Sequence, residues 1–268
     1  MTKIFILERS KDMSFGGQKI MVLVVFMIFV LLGCDQGVGK ILPFQKSGEA
    51  LYTEKCGSGL AKYIRGNYEG ALQDLHEGVE LCPEDTEAYL WRGLVRRHLG
   101  NYADALQDYS KVIELEPEKA NGYSGRAEVK HYLKDYLGAV QDYDRAIEID
   151  SKSSNLYYAR GLAKNDFKDY TGAVQDFNKA VELNPKDNLC RGLVSYILKD
   201  YDGAISFFDK TIQDEDIYDG NEPYAYFWRG QAKYMLGDKM GALNDLSSAG
   251  EWGKKDAYEH IQKIQEEL

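Results

Sequence analysis

The sequence predicts an all-α solenoid, about six helix–turn–helix units in a row closed by a terminal helix. Three observations predict it. Nearly the same eighteen residues recur, as GNYEGALQDLHEGVELCP at 66–83, GNYADALQDYSKVIELEP at 100–117 and KDYTGAVQDFNKAVELNP at 168–185. The alanine inside that word returns at Ala71, Ala105, Ala139, Ala173, Ala204 and Ala242, in steps of 34, 34, 34, 31 and 38 residues. Residue types also keep station around it. Twelve before stand Gly59, Gly93, Ala127, Gly161, Gly192 and Gly230; four after stand Leu75, Tyr109, Tyr143, Phe177, Phe208 and Leu246. Self-similarity at such a period marks stacked supersecondary units, which bury their apolar faces only against one another.

The first element in chain order is different. Residues 20–32 read IMVLVVFMIFVLL, thirteen apolar residues without a charge, preceded by Lys19 and followed by Gly33 and Cys34. A bilayer span takes about 20 apolar residues and an export-signal core about 7–15, so the run predicts an export signal. Leu31-Leu32-Gly33-Cys34 resembles a bacterial lipobox. That resemblance implies a lipoprotein signal peptide at 1–33, lipid attachment at Cys34, and a protein held at the cell envelope, facing the periplasm or extracytoplasmic space. The alternative is an uncleaved signal anchor on a membrane protein that assists assembly of a membrane or secretion complex. Met13 offers a second translation start, giving the short leader MSFGGQK. Residues 34–51 contain glycine, show no periodicity and read as a spacer.

Net charge is −10 with a pI near 5.0; without residues 1–33 it becomes −12. So acidic a body is no general nucleic-acid binder, which must neutralise phosphates with clustered Lys and Arg. Anionic headgroups would also repel it, which leaves membrane attachment to the lipid.

The six units run at about 52–85, 86–119, 120–153, 154–187, 188–222 and 223–253. Within each, the small residue and the alanine let two helices approach closely, and the aromatic or leucine fills the space between units. Gly100-Asn101-Tyr102 and Lys168-Asp169-Tyr170 supply the turn and the N-cap of the second helix, and Pro83, Pro117 and Pro185 stop it. The step of 31 predicts a shorter connection near 184–189 and a late start to the fifth first helix. The step of 38 predicts a longer loop around 214–223. Residues 254–268 read as an amphipathic capping helix with Ala257, Ile261 and Ile264 on one face. In period, small residues, alanine and terminal proline, the chain resembles the tetratricopeptide repeat (TPR) family, which implies a right-handed superhelical solenoid.

Titratable groups follow the repeat. Arg92, Arg126, Arg160 and Arg229 each have an aspartate sixteen residues later, at Asp108, Asp142, Asp176 and Asp245. On an antiparallel hairpin this spacing predicts a ladder of partly buried ion pairs, and fourfold repetition argues structure rather than catalysis. The first unit has Ser58 with Asp74 and the fifth Arg191 with Phe207, so each leaves a charge to find another partner. His76, His98, His131 and His260 fit no metal motif, and no phosphate loop, nucleophile elbow or HExxH appears. The acidic loop DEDIYDGNEP at 214–223 fails the EF-hand register. No enzyme, metal or cofactor is expected. Cys56 and Cys82 fall where antiparallel packing brings them near each other, as a disulfide or as two thiols, and Cys190 reads as a buried thiol.

The family resemblance further implies a concave groove lined by the first helices and binding a peptide or protein. Carried onto this chain, the groove residues are Leu90, Trp91, Leu94, Arg97, His98, Ser124, Glu128, His131, Tyr132, Tyr158, Leu162, Asn165, Leu193, Tyr196, Phe227, Gln231 and Tyr234. Chaperone-binding members clamp a terminal carboxylate with Lys and Asn; Cys56 and Leu60 stand at the matching first-unit positions. The expected function is a non-enzymatic adaptor or scaffold for protein partners at the bacterial cell envelope.

Overall fold

The computed structural model describes residues 48–213, 221–251 and 256–267. The apolar run at 20–32, Cys34, residues 35–47 of the expected spacer and the acidic stretch 214–220 lie outside the described residues. Among the described residues there are thirteen helices and no strand. They are α1 (Gly48–Ile64), α2 (Tyr68–Leu81), α3 (Thr86–His98), α4 (Tyr102–Leu115), α5 (Ala120–Tyr132), α6 (Tyr136–Ile149) and α7 (Ser154–Asp166). α8 (Tyr170–Leu183), α9 (Asn188–Ile197), α10 (Tyr201–Gln213), α11 (Glu222–Met235), α12 (Lys239–Glu251) and α13 (Asp256–Glu266) complete the chain. No described helix is long and apolar enough to cross a membrane.

Each helix packs on the next, and contacts that skip one helix join α1 to α3, α3 to α5, α5 to α7 and α9 to α11. Those are all first helices of their units. The chain therefore curves with first helices inside and second helices outside, a superhelical stack.

The repeated residues meet as their spacing requires. All six marker alanines are fully buried. A Cβ built on Gly59, Gly161 or Gly192 would lie 2.8 Å from Leu75, 2.7 Å from Phe177 or 2.4 Å from Phe208, the large residue sixteen positions on. The glycine is thus the seat of that side chain. Fully burying a Leu or Phe in this way contributes about 1.5–3 kcal/mol each, and repetition adds the units up.

Turns within units follow one design with two residue choices. Gly66, Gly100 and Gly237 have φ of 76°, 78° and 87°, while Lys134, Lys168 and Lys199 hold the same place at 62°, 68° and 64°. A left-handed non-glycine residue costs about 1–2 kcal/mol. A cation at a helix C-terminus returns only about 0.3–1 kcal/mol on an exposed surface. Units three to five therefore carry their lysines at a net conformational cost. The following Asp135 and Asp169 cap the second helix by accepting the amides of Gly138 and Gly172 at 3.0 and 2.9 Å.

The ladder forms, and it is wider than the sixteen-residue rule. Arg92, Arg126, Arg160 and Arg229 reach Asp108, Asp142, Asp176 and Asp245 at 2.6–2.7 Å. Each arginine is bidentate, its Nε donating to Oδ2, and a second cation one turn on, Arg96, Lys130, Lys164 or Lys233, shares that Oδ2 at 2.7–2.8 Å. Each arginine also reaches back to the previous second helix: Arg92 to His76 and Arg126 to Ser110 at 3.3 Å, Arg160 to Asp144 at 2.7 Å, Arg229 to Asp209 at 2.5 Å. In unit one, Lys62 takes Asp74 at 2.6 Å. In unit five, Arg191 has Asn188 at 3.5 Å.

Two local differences from expectation have simple causes. The connection before α9 is residues 184–187, as long as its counterpart at 116–119 before α5; the deletion falls inside α9, which has 10 residues where α7 has 13. The chain keeps its four-residue link and loses a turn of helix, so α9 does start late relative to Gly192. Helix α1 begins at Gly48, so the last residues of the expected spacer are already helical. Cys56, Cys82 and Cys190 are all free thiols. Cys56 sits against Gly78, 2.7 Å from where a Cβ there would lie, and burial pushes its thiol up to about 11. Burial likewise raises Cys190. At the far end α13 covers the last unit, with Ala257 and Ile264 buried beside Phe227, Leu246 and Ala249, and Ile261 packed against them.

Candidate partner-binding groove

The inner face has two chemically distinct halves. In units one to three its floor is polar and cross-braced. Tyr63 on α1 meets His98 on α3, hydroxyl to Nε2 at 2.9 Å, and Tyr68 stacks on the same imidazole at 5.3 Å between centroids. Arg97 on α3 pairs with Glu128 on α5 and lies over Tyr132, which stacks on Tyr102. His131 on α5 pairs with Asp166 on α7 at 2.8 Å. The Tyr63–His98 hydrogen bond and the Arg97–Glu128 and His131–Asp166 pairs each join successive first helices, so they fix the curvature of the groove as well as lining it. His98 and His131 thus serve separate bridges and do not share a site.

Electrostatics follow from that geometry. Burial and then the neighbouring Arg97 lower the His98 pKa, keeping the ring neutral near pH 7. Burial alone would lower Arg97, but Glu128 outweighs it and the guanidinium stays charged. Burial also raises Tyr63.

Units four to six present aromatic surface. Tyr158 lies 6.1 Å from Phe177 between ring centroids, and Tyr196 packs edge-on against Trp228 at 5.2 Å and Tyr201 at 5.6 Å. Burial pushes the Tyr196 phenol up to about 12. At the C-terminal end the Tyr234 hydroxyl donates to Glu267 at 2.8 Å, beneath the Lys263 ammonium at 5.5 Å from the ring. Tyr158, Leu162, Tyr196, Trp228, Gln231 and Tyr234 are half-buried, so each has surface left for a ligand.

Two expected groove residues are not available. Leu193 is 1% exposed and Phe227 7%, both sunk into the packing between units. Leu193 lies in the cluster around Phe208, and Phe227 packs on Trp228 and beneath α13. Leu90 and Trp91 are half-buried and contact the cores around Val79 and Val95. Leu94 is half-buried; Ser124 donates to the Asn121 carbonyl at 3.3 Å and Asn165 to Asp166 at 3.3 Å. Tyr63, Asp166 and Trp228 were missed by the sequence reading. Tyr63 and Asp166 stand one and two repeat steps from expected groove residues (Arg97 and His98), and that register is the signal that would have found them.

Comparison with known proteins agrees with the repeat. Profiles described as tetratricopeptide or TPR repeats match residues 59–96, 86–119 and 154–187. No curated protein matches the sequence. Among solved structures the chain is similar to PilF of Pseudomonas aeruginosa, at 18% identity, over 83% of this chain and 100% of that one, with a TM-score of 0.60. It is similar to a tetratricopeptide repeat protein of Parabacteroides merdae at 19% identity, over 80% and 99% of the two chains, with a TM-score of 0.54. MamA of Desulfovibrio magneticus RS-1 gives 22% identity, 63% and 97% coverage and a TM-score of 0.54. At such identities the likeness establishes the fold, a superhelical stack of tetratricopeptide units.

Proposed function

We propose that this chain is a non-enzymatic TPR scaffold that holds a peptide or extended protein segment in its concave groove, at the bacterial cell envelope, tethered by lipid on Cys34. The observation that carries the binding reading is the aromatic half of the groove. Tyr158, Tyr196, Trp228 and Tyr234 line one inner face on rigid helices, each half-buried. Aromatic side chains of this kind supply contact area at low entropic cost and dominate binding energy where they occur. The polar half supplies orientation, because Arg97, Glu128, His131 and Asp166 are already braced before any ligand arrives. A partner with apolar side chains toward one end and hydrogen-bonding groups toward the other fits both.

Two measurements test this. A partner recovered from membranes with the full chain should bind Y196A or W228A at least about 30-fold more weakly, the loss of a hot-spot anchor worth about 2 kcal/mol, with helicity by circular dichroism unchanged. Unchanged affinity in both variants sinks the groove. For the tether, mass spectrometry should find a lipid-modified N-terminal cysteine at position 34. An intact leader on unlipidated protein would replace it with the signal-anchored reading.

A further inference from the structure

Exposed apolar side chains are concentrated on one edge of the solenoid. Of the twelve large hydrophobic residues most exposed among the described residues, ten lie at the turns that join first to second helices or at the helix ends beside them. The centre of this edge has a repeated pair at its tips: Leu133-Lys134, Phe167-Lys168 and Leu198-Lys199. The apolar members are 48%, 51% and 65% exposed, and all three lysines are exposed. None of these lysines has an ion pair among the described residues. Each also occupies a left-handed backbone position that units one, two and six give to glycine.

The next residue in each tip is an exposed aspartate whose carboxylate is tied to a helix N-terminus. Asp135, Asp169, Asp200 and Asp238 accept helix amides at 2.8–3.1 Å, so their carboxylates sit on the positive ends of the second helices. The opposite edge differs. Its connections at 82–85, 116–119, 150–153 and 184–187 carry six acidic residues against three lysines. In a chain of net charge −10 the turn edge is thus the locally neutral one, with apolar groups and free ammonium groups foremost.

We propose that the turn edge is a membrane-contacting surface, laying Leu133, Phe167 and Leu198 into the interface of an anionic bilayer while Lys134, Lys168 and Lys199 meet its headgroups. Apolar residues flanked by lysines with long aliphatic stems suit that boundary, and their conformational cost in the free chain is what a functional placement would explain. This rests on the reading of residues 20–34 as a membrane tether. The fourteen residues from Cys34 to Gly48 span up to about 45 Å extended, and α1 is about 25 Å long. The tether therefore reaches past the far edge and lets the turn edge lie down. With that edge on the bilayer, the concave groove opens sideways, clear of the lipid.

The test uses the full chain with an environment-sensitive fluorescent amino acid at position 198, or at Ser151 on the opposite edge. It is reconstituted with vesicles of equal parts phosphatidylcholine and phosphatidylglycerol. The expected result is a blue shift at 198, none at 151, and loss of the shift in K134E/K168E/K199E, with helicity unchanged and the chain still pelleting with vesicles. A chain that pellets but shows no shift at 198, or equal shifts at both places, overturns the edge alone. A concentration-dependent shift without vesicles also overturns it, by making a second copy the occupant. A chain that stays in the supernatant overturns the tether, and this inference with it.

Discussion

Units four and five are neighbours with the same fold and opposite means of holding it. In unit four, Arg160 holds both oxygens of Asp176 on its own second helix and reaches Asp144 on the one before, and Lys164 shares Asp176 Oδ2 at 2.8 Å. In unit five the arginine survives as Arg191, but Phe207 stands where the aspartate would be and Ser195 where the lysine would be. Carboxylate and second cation have gone together. What replaces them is apolar packing: Leu189, Cys190, Leu193 and Phe208 are buried with Phe177 of the preceding unit in one cluster. The difference teaches that the ion ladder is not a condition of the fold. It is one of two ways to join hairpins, and well-packed apolar residues do as well as a buried ion network or better.

The sharpest way to break this comparison is to remove both arginines in turn. R160A leaves Asp176, 3% exposed, with a single cation and Asp144 with none. We expect a loss of about 3 kcal/mol, the low end for breaking a buried pair because Arg160 keeps some solvent contact. R191A should cost under about 1 kcal/mol. Hydrogen exchange of α7–α8 and α9–α10 amides is the right readout, since a repeat array need not unfold in one step. Equal losses would mean that Arg191 has a partner equivalent to the ladder.

If unit five depends on packing instead, it should be the less tolerant of added volume. A Cβ on Gly192 would meet the Phe208 ring at 2.4 Å, against 2.7 Å from Gly161 to Phe177. G192A is therefore expected to cost about 2 kcal/mol and G161A less, within the usual 1–3 kcal/mol for overpacking. Unit three already carries Ala127 at this place, so the order of the two variants is the informative result. A reversed order in unfolding midpoints would count against the packing account.

Much of this was legible beforehand, for a physical reason. Ala173, Phe177 and Pro185 recur because every hairpin has the same geometry, so a fixed spacing reports a fixed contact, and the sixteen-residue Arg–Asp spacing worked likewise. Contacts between units were not legible. The reach of Arg160 to Asp144, the cross-braces Tyr63–His98 and His131–Asp166, and the burial of Leu193 all depend on how far each unit rotates against the last. That angle is set by packing across the junction, and no single repeat records it. The place of the three-residue deletion was hidden too, because a shorter link and a shorter helix give the same step.

Acid should separate unit one from unit five. Asp74 sits below its usual pKa: burial alone would raise it, but Lys62 and Ser58, hydrogen-bonded to the carboxylate, outweigh that. A carboxylate with a depressed folded pKa contributes stability that is full above its unfolded value, about 3.9. The contribution is lost as pH falls through the folded value. Protection of α1–α2 should therefore drop on acidification below about pH 4, and D74N should remove that dependence while lowering protection at neutral pH. Unit five has Phe207 at the matching place and should lack this component. A common acid profile for both units would show that global charge, not this carboxylate, governs the loss.

The smallest effect concerns what the two units share. Lys168 and Lys199 both hold left-handed turns, at φ 68° and 64°, whatever joins the hairpins behind them. Replacing either by glycine relieves about 1–2 kcal/mol of backbone cost. The gain is offset by about 0.4–1 kcal/mol of extra entropy in the unfolded chain and by the lost cation at a helix C-terminus. K168G and K199G should each stabilise their unit by no more than about 1 kcal/mol, and by equal amounts, because neither lysine touches the ladder or the packing that replaced it. An unequal response would mean that the turn is coupled to the junction, so that the unit's two ways of being held reach its exposed edge as well.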